Sequence, residues 1–234
     1  MKIPLVDNDG TLLLPWHPVY KEALVYGLIQ CFGLRLDVDT IINPSYAGMI
    51  DNQILVQILT DNGFDRDESI EALSDLTETI GNYFQKNHEK VHVSNGDHFR
   101  LPGALGLLKS LSKTQHVGIL TGNIKKISDC RLEKAGILKY VTEGAYGDMA
   151  LTRAELVPVA KKRFSTLLKR NVKFQEFVII GDTVKDILCA RENNIQVVAI
   201  STGGSTKEEL ASANPDLLIE SFEKDYQKVI DFLR

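Results

Sequence analysis

Short apolar, β-rich runs at residues 2–6, 117–120, 177–180, 197–200 and 217–219 are separated by stretches of helical spacing, and this alternation restricts the fold more than any other feature. Strands that alternate with helices imply a parallel, doubly wound sheet, because each return to the sheet is a helical crossover. The rhythm fails in one place. From about residue 18 to about residue 99 no convincing strand occurs, and helical patterns at 19–31, 52–62 and 67 to about 87 follow one another. The chain therefore reads as an α/β protein whose sheet is built from residues 1–15 and 100–234, with an all-helical domain, 16–99, inserted after the first strand. Pro102-Gly103 marks the return to the sheet, followed by a helix at 103–111.

The first apolar run ends in two acids. Ile3, Pro4, Leu5 and Val6 lead directly into Asp7-Asn8-Asp9, then Gly10-Thr11-Leu12. Ligands bind beyond the carboxyl ends of parallel strands, so Asp7 and Asp9 are expected to face a cleft. Asn-Asp-Gly is also ordinary turn chemistry, so the other strand ends must decide. The run 117–120 enters Thr121-Gly122-Asn123 ahead of a helix at 124–135. Amides at a helix start cradle phosphate, although a plain N-cap uses the same residues. The run 177–180 enters Gly181-Asp182-Thr183, and Asp186 follows Asp182 by four residues, so both acids can face one opening. Like charges converging there repel by about 4 kcal/mol per close pair at an effective dielectric of 20, and they require a cation or protons. Oxygen ligands with no His or Cys beside them suit a hard ion, Mg²⁺ first.

A chain of 234 residues with 44 % hydrophobic content can bury an ample core. Its net charge of -4, with acids and bases interspersed, argues against nucleic-acid binding and gives no membrane-surface signal. No charged-then-apolar leader and no apolar run near the roughly 18 residues of a spanning helix is present, so a cytoplasmic protein is expected. Cys31, Cys130 and Cys189 lie far apart in helical-looking patterns and read as buried free thiols, not as a disulfide framework or zinc site. The oligomeric state is left at monomer or homodimer.

Together these segments resemble the haloacid dehalogenase-like (HAD) superfamily of phosphohydrolases over nearly the whole chain. Its first motif is Asp7-Asn8-Asp9-Gly10-Thr11-Leu12, its second is Thr121, and its fourth is Gly181-Asp182-Thr183-Val184-Lys185-Asp186. The third motif departs from the usual pattern. Where relatives carry Lys, the matching stretch Thr152-Arg153-Ala154-Glu155-Leu156-Val157-Pro158 offers Arg153, and Lys161 and Lys162 are weaker candidates. An Arg keeps the charge but is not a neutral swap for an ammonium.

The resemblance implies a Rossmann-like core with the helical cap of the phosphoglycolate-phosphatase-like branch. It also implies a Mg²⁺-dependent phosphatase of small phosphorylated metabolites that works through an aspartyl-phosphate. In that scheme Asp7 is the nucleophile, and Asp9 is the general acid and then base, with its main-chain carbonyl also reaching the metal. Asp182 is a direct metal ligand, and Asp186 acts from further out or through a water. Gly10, Thr121, Gly122, Asn123 and Arg153 hold the phosphoryl group. Gly48-Met49-Ile50-Asp51 matches a cap loop that in relatives often reads Gly-x-Thr-Asp, and an inter-helix turn with Asp51 capping the next helix explains it equally well. His17 is placed to face the leaving group, although a lone His is more often a bystander. The rival readings are a phosphomutase acting on a sugar phosphate and a non-catalytic phosphate-metabolite-binding protein. A haloacid dehalogenase has no use for Asp9 and Asp182, and a phosphonatase needs a cap Lys, for which Lys21 is the candidate.

Overall fold

The computed structural model describes residues 2–15, 18–36, 38–41, 46, 48–90 and 99–234. Six strands, β1 (Ile3–Val6), β2 (Gly118–Leu120), β3 (Glu143–Ala145), β4 (Phe177–Gly181), β5 (Gln196–Ile200) and β6 (Leu217–Ile219), form one parallel sheet in the order β3-β2-β1-β4-β5-β6. Strand β1 lies in the middle, with Val6 in register with Ile119 of β2 and Ile180 of β4. The chain runs outward from β1 to β3 on one side and to β6 on the other, so the order reverses at β1. At such a switch point the residues leaving β1, β2 and β4 emerge beside one another, which brings Asp7, Thr121 and Asp182 to one edge.

Both faces of the sheet are covered, which explains why β1 and β4 are apolar without alternation. On one face α5 (Ala104–Leu111) and α10 (Tyr226–Leu233) pack on Val6, Ile119, Val178 and Ile180. On the other, α7 (Leu156–Leu167) and α8 (Val184–Glu192) pack on Leu5, Leu120, Ile179 and Val197. Strand β3 was not expected from the sequence. Glu143-Gly144-Ala145 has little intrinsic strand preference, and β2 recruits it as an edge by pairing Ile119 with Gly144.

The insertion contains α1 (Pro18–Phe32), α2 (Asp51–Asp61), α3 (Arg66–Glu71) and α4 (Leu73–Asn87). The pattern expected to form one helix at 67–87 is divided by a turn at Ala72. The Asp65 carboxylate accepts from the amides of Asp67 and Glu68 and fixes the start of the first piece. Leu73, Leu76, Ile80 and Phe84 drive the second into an apolar cluster with Leu24, Leu28, Leu55 and Leu59. That cluster also takes in Ile124, Ile127 and Cys130 at and along α6 (Lys125–Lys134), so the inserted helices rest on the helix that follows β2.

The outgoing and returning chains run side by side: Leu14 N donates to Phe99 O and Leu101 N to Leu12 O, both at 2.9 Å. Of the cysteines, Cys130 and Cys189 are buried as expected, but Cys31 is exposed on the last turn of α1, where only part of the helix faces the cluster. Among the described residues no helix is long and apolar enough to cross a membrane.

Candidate active site

Asp7 directly follows β1, Asp182 directly follows β4, and Asp186 sits in the first turn of α8. All are buried, and one carboxylate oxygen of each lies within 4.8 Å of the others. Asp7 Oδ1 accepts from the Asn8 amide (2.7 Å) and Oδ2 from Arg153 Nη2 (2.6 Å). The same Nη2 donates to Asp186 Oδ1, so one guanidinium bridges two acids. Asp186 Oδ2 accepts from Thr183 N (3.0 Å) and Oγ1 (2.7 Å), which closes a capping box at the start of α8. Asp182 accepts from Thr11 Oγ1 (2.9 Å) and Gly204 N (2.6 Å). Gly10 has φ +71° and packs so closely on this carboxylate that a Cβ would lie 2.3 Å from Asp182 Oδ2, so only Gly fits.

Burial pushes the Asp7 carboxyl up to about 6, with Arg153 pulling down and Asp186 pushing up. Burial, then repulsion from Asp7 and Asp186, pushes Asp182 up to about 7. One guanidinium among three buried acids leaves the cluster short of positive charge. The donors are all oxygen, which fits a hard divalent ion better than a thiophilic or imidazole-seeking one.

The linkage has a definite sign. With folded values raised from an unfolded value near 3.8 to about 6 and about 7, the folded state binds more protons than the unfolded chain across that window. Stability of the metal-free protein should therefore fall as pH rises from about 4 to about 7. An ion that binds the ionised acids removes this loss. The rise in Tm on replacing EDTA by Mg²⁺ should be small near pH 5 and larger near pH 7.5, and equal gains at both would place the ion elsewhere.

Thr121 directly follows β2, where its amide donates to Ala145 O and its hydroxyl accepts from Asn123 N (3.4 Å). The loop from the insertion closes directly over this turn. Asp51 N donates to Gly122 O at 2.8 Å, and a Cβ on Gly122 would lie 2.9 Å from Met49 O. Gly48, at φ +71°, packs on the aliphatic stem of Lys185.

Asp51 does not cap its own helix. It is the first residue of α2, and its carboxylate accepts from Tyr20 Oη and from the amide of Ile124 (2.7 Å), capping α6 across the seam. Burial, against the pull of those two donors, raises it to about 7. Asp51→Ala leaves a buried amide and hydroxyl unpaired and should lower unfolding stability by about 1–3 kcal/mol in urea titration. An unchanged midpoint would mean that water replaces the carboxylate.

Two partners of the first motif escaped the sequence reading. Asn8, fully buried, donates to Ser128 Oγ (2.7 Å), and Asp9 is gripped by Arg131. The signal was present in α6, whose buried stripe Ile124, Ile127 continues with Ser128 and Arg131, polar residues where a plain amphipathic helix carries apolar ones. The carboxylate of Asp9 is accordingly not among the clustered acids. Among the candidate third-motif cations, Arg153 stands at the carboxylates. Lys161 bonds Asn171 (3.3 Å) and lies over the Phe174 ring, and Lys162 lines a separate groove with Pro158 and Arg170. His17 lies outside the described residues.

The HAD-hydrolase-like family profile matches residues 149–224. The chain is 28 % identical over 122 residues to phosphoglycolate phosphatase of Agrobacterium fabrum, covering 52 % of this chain and 51 % of that one. The match thus spans about half the length of that relative. With the phosphoglycolate phosphatase of Nitrosococcus oceani identity is 26 % over 225 residues, covering 93 % and 91 %. A hydrolase from Pseudomonas syringae has the same fold over all of both chains, at a TM-score of 0.66 and 21 % identity. The parallel sheet, the strand-end acids and the matched profile agree in their likeness to HAD-like hydrolases. The chain is similar to that family, and its likeness over most of its length is to a phosphoglycolate phosphatase.

Proposed function

We propose that the protein is a Mg²⁺-dependent phosphatase of small organic phosphate monoesters that works through an aspartyl-phosphate. In this reading residues 16–99 are a cap over a catalytic core of 1–15 and 100–234. The observation that carries it is the setting of Asp7: a buried carboxylate at the tip of the central strand, between the Arg153 guanidinium and two further acids. Such a group has no packing role that would repay its desolvation, whereas phosphoryl transfer needs this concentration of charge. Asp7 attacks phosphorus and forms the P–O bond as the ester oxygen leaves with a proton from Asp9. Asp9, now ionised, takes a proton from water, whose oxygen attacks phosphorus and frees Asp7. Arg153 offsets the charge of the phosphoryl oxygens, and Thr121 with the amides of Gly122 and Asn123 orients them. Asp7, Asp182 and the main-chain carbonyl of Asp9 would hold Mg²⁺, with Asp186 supporting them, and the ion would supply charge neutralisation.

The cap would exclude water and select the substrate. Gly48, Asp51 and His17 are the cap-side residues of this reading, and the docking of Asp51 on the 121–123 turn supports it. Phosphate release should be screened with Mg²⁺ over phosphoglycolate, sugar phosphates, nucleotides and phosphoamino acids, and ranked by kcat/KM. A substrate that releases phosphate, with release lost reversibly on chelation, is the expected result. Isomerisation of a sugar phosphate without release would make the protein a mutase, and inertness towards the whole panel would favour the binding-protein reading.

A further inference from the structure

Arg131 is buried on the last turn of α6, and its guanidinium makes four hydrogen bonds. Nη1 donates to Asp9 Oδ2 and to Asn123 Oδ1, both at 2.9 Å, and Nη2 donates to Asp9 Oδ1 and to Leu14 O at 3.1 Å. A planar fork that takes both oxygens of a carboxylate fixes its rotation as well as its position. The other two anchors are the end of the Thr121-Gly122-Asn123 turn and the start of the crossing to the helical insertion. One side chain therefore ties Asp9 to the phosphate loop and to the hinge. Nothing in the packing of α6 requires this, because Ile124, Ile127 and Cys130 already seat the helix.

We propose that Arg131 is the positioning residue for Asp9: its fork fixes the rotation of the carboxylate and so aims the oxygen that carries the proton. The inference rests on Asp9 being the proton carrier. A carboxyl that gives a proton to the ester oxygen and then takes one from water needs an oxygen lone pair aimed at the phosphorus; the fork takes one lone pair from each oxygen and so fixes where the remaining ones point. Asn123 Oδ1 and Leu14 O anchor the guanidinium itself, so the direction of the fork does not depend on Asp9. Arg131 keeps all its protons throughout.

The test uses Arg131→Lys, which keeps a buried cation but loses the fork, and Arg131→Met, with folding followed by circular dichroism. p-Nitrophenyl phosphate needs no proton on its leaving group. In rapid mixing, Arg131→Met should still give a near-wild-type burst of p-nitrophenolate, followed by steady turnover reduced about a hundredfold. With an alkyl phosphate both steps slow, kcat should fall about a hundredfold for Met and about tenfold for Lys, and KM should change little. Asp9→Asn combined with Arg131→Met should be no slower than Asp9→Asn alone, because the Arg acts only through Asp9. Additive losses, a raised KM with kcat preserved, or wild-type kinetics in a folded Arg131→Lys would each overturn the proposal. If the wild-type protein releases no phosphate from any substrate, the phosphatase reading itself fails; if it does and the cycle is additive, only the role of Arg131 fails.

Discussion

Asp7→Asn should lower phosphate release by a factor on the order of 10⁴ or more, since an amide cannot form the acyl-phosphate on which both half-reactions of the proposed mechanism depend. The same change should leave the fold intact and the metal-free protein at least as stable. Asn is nearly isosteric, it can still accept from the Asn8 amide, and it removes one of three buried carboxylates that repel one another. The two readouts are steady-state release from the best substrate and Tm in EDTA. Residual activity within tenfold of wild type would remove Asp7 from the nucleophile's position. A large fall in Tm with activity lost would leave it a structural acid.

Arg153→Met is the second large effect, and it strikes stability and turnover together. The guanidinium neutralises Asp7 and Asp186 at once, and removing it leaves buried acids without a fixed counter-charge. Breaking such a pair costs about 3–5 kcal/mol, so the metal-free variant should unfold several degrees earlier. Mg²⁺ should recover part of that loss, because it supplies charge to the same acids. Activity should not recover with it, because in the proposed mechanism the phosphoryl oxygens have also lost their cation; a loss on the order of 10² to 10³ is expected from removing one such charge. Arg153→Lys restores charge without the bridge from Asp7 to Asp186 and should fall between the two. If Mg²⁺ left the Tm of Arg153→Met unmoved, the ion and the guanidinium would not share these carboxylates.

Much of the fold was legible because it rests on local patterns. Five of the six strands are short apolar runs, and a strand buried on both faces has no other composition available. Strand β3 was hidden for the opposite reason: Glu143-Gly144-Ala145 is a strand only because β2 offers an open edge. The division at Ala72 was hidden too, since an apolar stripe carries no mark of where the helix turns. The loop 48–51 was recognisable as a motif, but its sequence left a cap loop and a local helix cap equally open, and the structure has Asp51 reach a different helix, 73 residues along the chain.

By itself, the sequence determined that the chain would be a parallel α/β protein with a helical insertion, and that acids would stand at the ends of adjacent central strands. Hydrophobic period and strand-end chemistry are written within a few residues of each other. Only the tertiary structure decided what each acid touches: Arg153 between Asp7 and Asp186, Ser128 beneath Asn8, and Arg131 across both oxygens of Asp9 from 122 residues away. The physical reason lies in α6. Its buried face must seat the helical insertion and reach the first motif at once, and the side chains that reach are chosen by that packing, not by any spacing along the chain.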